Sequence, residues 1–293
     1  MPWLWQWPVI QACLDEAGEV MPIGGAGEAN NRRTVQLVKP GEAAECHRHT
    51  AAALRLIVDS MGAYTTVEGE QMVMEQGDLV LTPNWTWHDH TNDTATDTVW
   101  LDVLDIHLAG HLDAIFHESF PEGEAQPITK PDGYSRGRFG PVRPNAVGVE
   151  HSALLPYTYK WADARAAPHR MADSGESSEY DGVLLEYKNP VTGGPTMPTI
   201  GCWVQMLRPG EATRSHRHTG STIYHVVGGG GVTTIGRGAD ATDLPWGERD
   251  CFFVPPWEWH EHRNTSATEP AYLFSSTDRP VLETLYLYRV EGA

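Results

Sequence analysis

The sequence is poor in cysteine, in basic residues and in long apolar runs, and each shortage excludes a class of protein. Its four cysteines lie far apart with no Cys-x-x-Cys spacing, which argues against a disulfide framework and against a thiolate zinc site. Lysine and arginine total 21 against 39 acidic residues, and the formal net charge of −18 disfavours nucleic acid and anionic membranes as partners. No apolar run approaches the roughly 18 residues of a membrane span, and no secretion signal opens the sequence. We therefore expect a globular protein of the reducing cytoplasm.

Histidine, in contrast, follows a regular pattern. Eight of the 14 histidines form His-x-His pairs, which are His47 and His49, His88 and His90, His216 and His218, and His260 and His262. The sequence around the first pair recurs 169 residues later, and the sequence around the second pair recurs 172 residues later. Because the two offsets are nearly equal, the chain is an internal duplication of one domain.

Short β-rich runs separated by glycine and proline surround these pairs. They lie at residues 33–38, 53–58, 63–67, 79–82 and 98–104, and again at 200–207, 223–227, 231–235, 251–254 and 271–275. Many short strands with frequent turn residues predict an all-β barrel or sandwich. Short helices are expected at 9–17, 111–120 and 161–171, a linker at 121–144 and a solvated turn at 173–179.

The spacing of each histidine pair suits a metal site. Residues two apart on a strand project to the same face, about 7 Å apart along the backbone. His47 and His49 could therefore converge on a metal ion, with a third ligand from the pair at His88 and His90. One isolated pair could instead be solvent-exposed side chains on a strand surface. Four pairs at matching positions of the two repeats favour a metal site.

Two motifs in the first repeat resemble those of the cupin barrel. The first is Gly41, five residues, then His47-x-His49, and the second is Gly77, five residues, Pro83-x-Trp85, then His88 and Asn92. Trp85 stands where the cupin pattern usually has glycine. Cupins commonly add a glutamate to three histidines, but its place holds Ala53 and Leu54 here, and Thr222 and Ile223 in the second repeat. A site of three neutral ligands is therefore expected.

Over nearly the whole chain, a longer set of motifs resembles the gentisate 1,2-dioxygenase family of bicupins, which includes salicylate and 1-hydroxy-2-naphthoate dioxygenases. The motifs are His47-Arg48-His49-Thr50, Trp85-x-Trp87-His88-Asp89-His90, Trp100-Leu101-Asp102, Tyr187-x-Asn189-Pro190-x-Thr192-Gly193-Gly194 and Leu273-Phe274-Ser275. The resemblance implies two double-stranded β-helix (jelly-roll) barrels with a few short helices. It divides the chain into a catalytic N-terminal cupin with its leading segment at 1–120, a linker with a short helix at 121–180 and a C-terminal cupin at 181–293.

The resemblance also implies an activity and its partners. Family members use Fe(II) and O₂ to cleave an aromatic ring between a carboxyl-bearing and a hydroxyl-bearing carbon, and gentisate gives maleylpyruvate. A small aromatic hydroxy acid and O₂ are the expected partners, and a homo-dimer or homo-tetramer is the expected assembly. Another metal-dependent cupin enzyme, such as a lyase, isomerase or decarboxylase, and a non-catalytic ligand-binding bicupin remain as alternatives.

The roles of four further residues in the first repeat are assigned from the alternation of side chains along a strand and from the family resemblance. Arg55 lies an even number of residues past His49, so an unbroken strand places it on the metal face, where it could bind the substrate carboxylate. His88 matches the family's third ligand, which leaves His90 beside the substrate as a proton-transfer residue, although the spacing permits the opposite assignment. Asp102 is a candidate for a polar contact to a ring substituent or for a structural hydrogen bond.

Three further positions are assigned to substrate binding: Arg32, Thr34 and Trp87. Arg32 and Thr34 stand where relatives tend to carry aromatic or small pocket residues, and an extra cation there favours a nitro, sulfo or second anionic substituent. Packing at the barrel mouth is the alternative for Trp87.

The second repeat keeps three candidate ligands, His216, His218 and His260, as a second metal site. Its counterpart of Arg55 is Tyr224, which cannot bind a carboxylate as a cation does. Catalysis is therefore expected in the first repeat.

Overall fold

A computed structural model describes residues 3–20, 33–121, 125–140 and 155–293, with the backbone alone at 17–20, 33 and 34. The chain forms two compact units. The N-terminal barrel comprises residues 12–161 and 189–193, and the C-terminal barrel comprises residues 1–11, 162–188 and 194–293. Strand β1 (Trp3–Trp5) and helix α1 (Trp7–Val20) open the chain.

The N-terminal barrel consists of two five-stranded antiparallel sheets. Its strands are β2 (Arg33–Val38), β3 (Ala43–His49), β4 (Ala53–Asp59), β5 (Met61–Val67), β6 (Glu70–Glu75), β7 (Leu79–Thr82), β8 (His88–Thr91), β9 (Thr98–Leu104), β10 (His117–Ser119) and β11 (Thr158–Tyr159). One sheet has the order β10-β3-β8-β5-β6 and the other has the order β11-β7-β4-β9-β2. The helices are α2 (Ile106–His111), α3 (Tyr134–Phe139) and the start of α4 (Trp161–Asp173).

Alternate side chains of these strands project into the core. In β6, Met72 and Met74 are buried, whereas Val73 between them is half-buried. Their side chains join a buried cluster with Val38, Ile57, Ala63, Val67, Val80, Trp100 and Tyr157. This cluster supports the sheets that carry the histidines.

The turn before β7 depends on one glycine. Gly77 has a φ of 84°, and a Cβ there would lie 2.5 Å from Cγ of Trp161. The next residue, Asp78, accepts hydrogen bonds from Nζ of Lys160 at 2.5 Å and from the backbone N–H of Trp161 at 2.9 Å. Only glycine fits the conformation and the contact together, so the cupin-motif glycine is explained by packing.

The C-terminal barrel repeats this plan. Its strands are β12 (Val183–Glu186), β13 (Gly201–Leu207), β14 (His216–His218), β15 (Thr222–Gly228), β16 (Gly231–Ile235), β17 (Thr242–Trp246), β18 (Cys251–Val254), β19 (His260–Asn264), β20 (Ala271–Thr277) and β21 (Val290–Gly292), and helix α5 is Arg279–Thr284. The sheets have the orders β1-β18-β15-β20-β13-β12 and β17-β16-β19-β14-β21. Strand β1 therefore belongs to the C-terminal barrel, where it pairs with β18.

The all-β prediction is confirmed, and the ten predicted strands are all present. Strands 33–38, 79–82, 98–104, 231–235 and 251–254 have the predicted limits, and the others differ by one or two residues at their ends. Two of the predicted helices are also present, as α1 and α4. In the part of the chain that the structure describes, no helix is long and apolar enough to cross a bilayer.

The predicted helix at 111–120 is wrong. Helix α2 ends at His111, Asp113 has a φ of 54°, and β10 then pairs with β3. The spacing of Leu112, Ile115 and Phe116 is typical of an amphipathic helix, but pairing with the edge of β3 prevails here. In the predicted linker at 121–144, α3 was not expected, and residues 122–124 and 141–144 lie outside the described part.

Candidate metal centre

Strands β3 and β8 bring three histidines of the N-terminal barrel together. His47 and His88 are cross-strand partners, and their ring centroids lie 4.5 Å apart. The ring of His49 lies 4.8 Å from that of His88 and 5.5 Å from that of His47. One ring nitrogen from each residue lies within 4.8 Å of the other two, so the triad could hold one metal ion.

Backbone carbonyls orient all three rings in the same way. Nδ1 of His47 bonds to the carbonyl of Glu45 at 2.8 Å, and Nδ1 of His49 bonds to that of Ala51 at 2.7 Å. Nδ1 of His88 bonds to the carbonyl of Thr86 at 2.9 Å. Because a carbonyl only accepts, each Nδ1 carries the hydrogen and each Nε2 keeps a free lone pair.

The electrostatics of the triad also suit a metal. Nε2 of His88 is buried without a hydrogen-bond partner, which a coordinated metal ion would provide. Burial lowers the pKa of His49 to about 4 and lowers the pKa of His47 and of His88, and the charge of Arg55 acts in the same direction. The imidazoles are therefore neutral at pH 7, which is the form that binds metal.

Arg55, on β4, is the cation beside the triad. It is 5% exposed, and its Nη1 donates to Oγ1 of Thr82 at 2.9 Å. Its Nε lies 3.1 Å from Oδ1 of Asp102 on β9, at ion-pair distance but off the hydrogen-bond direction. Asp102 also accepts from Nε1 of Trp100 at 3.0 Å. Asp102 thus compensates the buried charge of Arg55 and restricts its position.

His90, on β8, is buried close to the triad. It is 3% exposed, its Nδ1 bonds to Oγ1 of Thr65 at 2.8 Å, and its Nε2 is buried without a partner. Its ring centroid lies 5.9 Å from that of His88. It does not belong to the group that could share one ion. This geometry favours His88 as the third ligand and leaves His90 as a neighbour with a free nitrogen.

The structure describes the three further substrate-binding candidates to different extents. Arg32 lies outside the described residues, and at Thr34 only the backbone is described, paired with Asp102. The ring of Trp87 lies 4.4 Å from the guanidinium of Arg48 and packs edge-on against Phe120 at 5.0 Å.

Sequence reasoning missed His117. It lies on β10 opposite His49, and its ring centroid is 5.3 Å from that of His47 at an interplanar angle of 24°. The predicted helix at 111–120 concealed it. The duplication offered one signal for this segment, because Glu118 and Glu291 are equivalent residues of the two repeats. Each forms an ion pair with the arginine between two histidine ligands: Glu118 with Arg48, and Glu291 with Arg217.

The C-terminal barrel carries a second triad of His216, His218 and His260, with ligand nitrogens again within 4.8 Å of one another. Tyr224 occupies the position of Arg55, and it pairs with Ser275 where Arg55 pairs with Asp102. The two barrels therefore share a metal-binding geometry but differ in the charge beside it.

Comparison with known proteins gives the family. The chain matches the Cupin domain family twice, at residues 34–104 and 203–277. A 5-aminosalicylate 1,2-dioxygenase from Comamonas sp is 40% identical to it, over 99% of this chain and 81% of that protein. A gentisate 1,2-dioxygenase from Haloferax sp is 35% identical, over 97% of this chain and 86% of that protein. The chain belongs to the gentisate 1,2-dioxygenase family.

A solved structure supports this membership. The salicylate 1,2-dioxygenase from Pseudaminobacter salicylatoxidans superposes with a TM-score of 0.86 at 28% identity, covering 100% of this chain and 88% of that one. The bicupin fold predicted from the motifs is thereby confirmed. Membership of this family supports ring-cleaving dioxygenase activity, because the relatives named above are 1,2-dioxygenases. A metal cofactor fits the two clusters of three imidazoles in the chain.

Proposed function

We propose that the protein is an Fe(II)-dependent dioxygenase that cleaves gentisate or a related substituted salicylate. The ring opens between the carboxyl-bearing and hydroxyl-bearing carbons, both atoms of O₂ enter the product, and gentisate gives maleylpyruvate. The observation that carries the proposal is a triad of three neutral imidazoles, with no carboxylate among them, beside the buried Arg55.

His47, His49 and His88 are the proposed ligands. Imidazole nitrogen suits Fe(II), and three protein ligands leave positions open. Fe(II) bound there would supply a charge of +2 and open coordination positions for a hydroxy acid and O₂. A glutamate among the ligands would occupy one of these positions and reduce the charge.

Arg55 is the proposed partner of the substrate carboxylate. A guanidinium has five N–H donors, and Thr82 and Asp102 engage only some of them. A planar carboxylate matches this fork, and the attraction is strong in a buried site. Asp102 acts through Arg55: it holds the guanidinium and keeps the pair neutral before the substrate binds.

His90 is the proposed proton-transfer residue. Its Nδ1 is bonded to Thr65, so Nε2 is the atom that can accept the phenolic proton and return it later. A neutral imidazole is required for that step, and burial lowers the pKa of His90 well below its usual value.

We place ring cleavage in the N-terminal barrel. Tyr224, at the position of Arg55, provides no positive charge, so a hydroxy acid would lack the counterpart of Arg55 beside the second triad. Arg32 and Thr34 are proposed to contact the ring substituent, and Trp87 stays a candidate for the mouth of the site. A homo-dimer or homo-tetramer is the proposed assembly.

The direct test is oxygen consumption by the protein loaded anaerobically with Fe(II). We expect uptake that depends on gentisate, 5-aminosalicylate, salicylate, nitrosalicylates or 1-hydroxy-2-naphthoate, and ¹⁸O₂ should place both heavy atoms in the ring-opened acid. Turnover of these acids without O₂ would favour a lyase, isomerase or decarboxylase instead. Absence of iron after reconstitution would favour a non-catalytic bicupin.

The ring substituent preference is tested by a substrate panel. Arg32→Ala is expected to lower kcat/KM for nitro- and sulfosalicylates more than for gentisate, because it removes a cation. An unchanged ratio between these substrates would remove Arg32 from the site.

A further inference from the structure

Residues 112–120 form a strap that runs along β3, next to the first triad. Thr50, the residue after His49, fastens this strap: its backbone N–H donates to the carbonyl of Phe116 at 3.0 Å, and its Oγ1 donates to that of Ala114 at 2.6 Å. Oγ1 of Thr50 also accepts from the backbone N–H of Phe116 at 2.9 Å. The threonine therefore fixes the register of β10 against the strand that carries two proposed ligands.

This register directs His117 to the metal-binding face. In the pairing of β10 with β3, His117 lies opposite His49, and Glu118 lies opposite Arg48. Directly opposed residues of an antiparallel pair project to the same face, and successive residues alternate between the faces. Glu118 and Arg48 form an ion pair on the other face. His117 therefore projects to the face of the ligands, and its ring centroid lies 5.3 Å from that of His47.

The second repeat shows what this position borders. Val290 lies opposite His218 just as His117 lies opposite His49. Val290 and His218 both line a cavity of about 370 Å³. The equivalent position in the first repeat therefore faces the space beside the triad, where the hydroxy acid is proposed to bind. A polar residue stands there in the N-terminal barrel and an apolar residue in the C-terminal barrel.

The imidazole of His117 is available to a ligand. It is exposed, and within the part of the chain that the structure describes it stacks on His47 without a hydrogen-bond or ion-pair partner. It also lies outside the group of nitrogens that could share one metal ion. A neutral imidazole has one N–H donor and one acceptor nitrogen. His117 therefore offers both to a molecule bound at the triad.

The other polar groups beside the triad approach it from different directions. Arg55 lies on β4 of the other sheet, and His90 lies on β8. Strand β3 separates β8 from β10 in the sheet order, so His117 reaches the site from the side opposite to His90. Arg55 and His90 are proposed to engage the carboxylate and the phenolic oxygen, which lie on neighbouring carbons of the substrate. A third contact from another direction falls on a different part of the ring.

We propose that His117 binds the ring substituent of the substrate through a hydrogen bond, so that the site prefers salicylates that carry a further hydroxyl or amino group. This inference rests on the proposed function and narrows its substrate class. Gentisate and 5-aminosalicylate belong to the preferred class, whereas salicylate and 1-hydroxy-2-naphthoate do not. An apolar substituent of the same size leaves the imidazole without its partner, and a site built for a hydrogen bond rejects such an isostere.

Matched pairs of substrates test the proposal. Each hydroxysalicylate is compared with the methylsalicylate substituted at the same ring carbon, because the two substituents are similar in size. The measurements are kcat/KM from oxygen uptake and, without O₂, the dissociation constant of each acid from the Fe(II)-loaded protein by calorimetry. We expect the unmodified protein to prefer the hydroxyl member in at least one pair. His117→Phe should reduce that preference about 3- to 10-fold, the usual effect of one hydrogen bond.

Two further variants distinguish a substrate contact from packing. His117→Gln keeps hydrogen-bonding groups and should retain most of the preference, whereas phenylalanine keeps only the ring that stacks on His47. His111→Phe is the matched control at an exposed position of the same barrel, and it should behave as the unmodified protein.

Two results would overturn the proposal. One is an equal preference in His117→Phe and the unmodified protein for every pair of acids. The other is a loss of iron in His117→Phe with an equal fall for both members of each pair, which would show that His117 supports the ligand His47. Absence of oxygen uptake with every acid would contradict the proposed function, and the dissociation constants would then decide the role of His117.

Discussion

The guanidinium of Arg48 lies 4.4 Å from the ring centroid of Trp85. It lies at the same distance from Trp87, and its Nε and Nη2 both donate to Oε2 of Glu118, at 2.8 and 2.6 Å. Arg48 lies between His47 and His49 in the sequence. Its contacts with the two tryptophans and with Glu118 therefore help to hold the strand that carries both ligands. The same arrangement recurs around Arg217, which lies 4.4 Å from Trp257.

Arg48→Ala tests this positioning role. Loss of two cation–π contacts should cost about 1–2 kcal/mol of stability and weaken Fe(II) binding about tenfold. The measurements are thermal unfolding and Fe(II) affinity at the first site. Arg217→Ala is the matched control in the other barrel and should leave that affinity unchanged. Equal Fe(II) affinities for Arg48→Ala and the unmodified protein would contradict the role.

Arg55→Lys tests carboxylate binding. Lysine keeps the charge that compensates Asp102 but loses the planar fork. We expect kcat/KM to fall about 10- to 100-fold, which corresponds to about 1.4–2.7 kcal/mol, with Fe(II) content unchanged. Steady-state oxygen uptake and metal analysis measure the two quantities. A fall in iron content equal to the fall in rate would show instead that Arg55 supports the metal site.

His90→Gln separates proton transfer from metal binding. Glutamine retains hydrogen-bonding capacity but cannot carry the proton, so kcat should fall about 10²- to 10⁴-fold. Iron content should stay at the level of the unmodified protein, because His90 lies outside the triad. His262→Gln is the matched control, since Nδ1 of His262 bonds to Thr233 at 2.8 Å as that of His90 bonds to Thr65. Loss of iron in His90→Gln would reverse the assignment of His88 and His90.

Acid should destabilise the fold through a buried histidine away from the triads. Burial lowers the pKa of His225 to about 3, and its Nδ1 lies 3.3 Å from Sγ of Cys251. The unfolded chain takes up this proton below about pH 6.5, whereas the folded chain does not, so stability is lost as pH falls from about 6.5 towards 3. The slope for one such group is about 1.4 kcal/mol per pH unit.

His225→Leu should remove that contribution. The measurement is the free energy of unfolding in urea at several pH values between 7 and 5. The slope of this free energy against pH should decrease by the contribution of one titrating group. His111→Gln, at an exposed position, is the control. If the slope of His225→Leu matches that of the unmodified protein, the burial argument is wrong.

Local pattern was enough to predict most of the strands. The run at 79–82 has three apolar residues followed by Thr82 and lies between Gly77 and Pro83, and it forms β7 (Leu79–Thr82) as predicted. That His47 and His49 project to the same face followed from their spacing of two residues on a strand. Both cases depend on residues close in sequence, where geometry is constrained by the backbone.

Long-range register could not be predicted in the same way. The ion pair of Arg55 and Asp102 depends on how β4 pairs with β9. The sequence predicted that each residue is part of the site, but it did not predict that they contact each other. His117 was missed because its segment pairs with an edge strand despite its helical spacing. Asp181 has no motif of its own and approaches His216 only in the folded barrel.

The pairing of β1 with β18 affects the order of events during synthesis. Trp3 and its partner Phe253 are about 250 residues apart, so β1 leaves the ribosome long before β18 and is not covered until β18 has been made. Until then its tryptophans and open edge are exposed to other nascent chains. A fragment that begins at the second repeat would leave β18 uncovered at that edge, and aggregation of such fragments is the expected result.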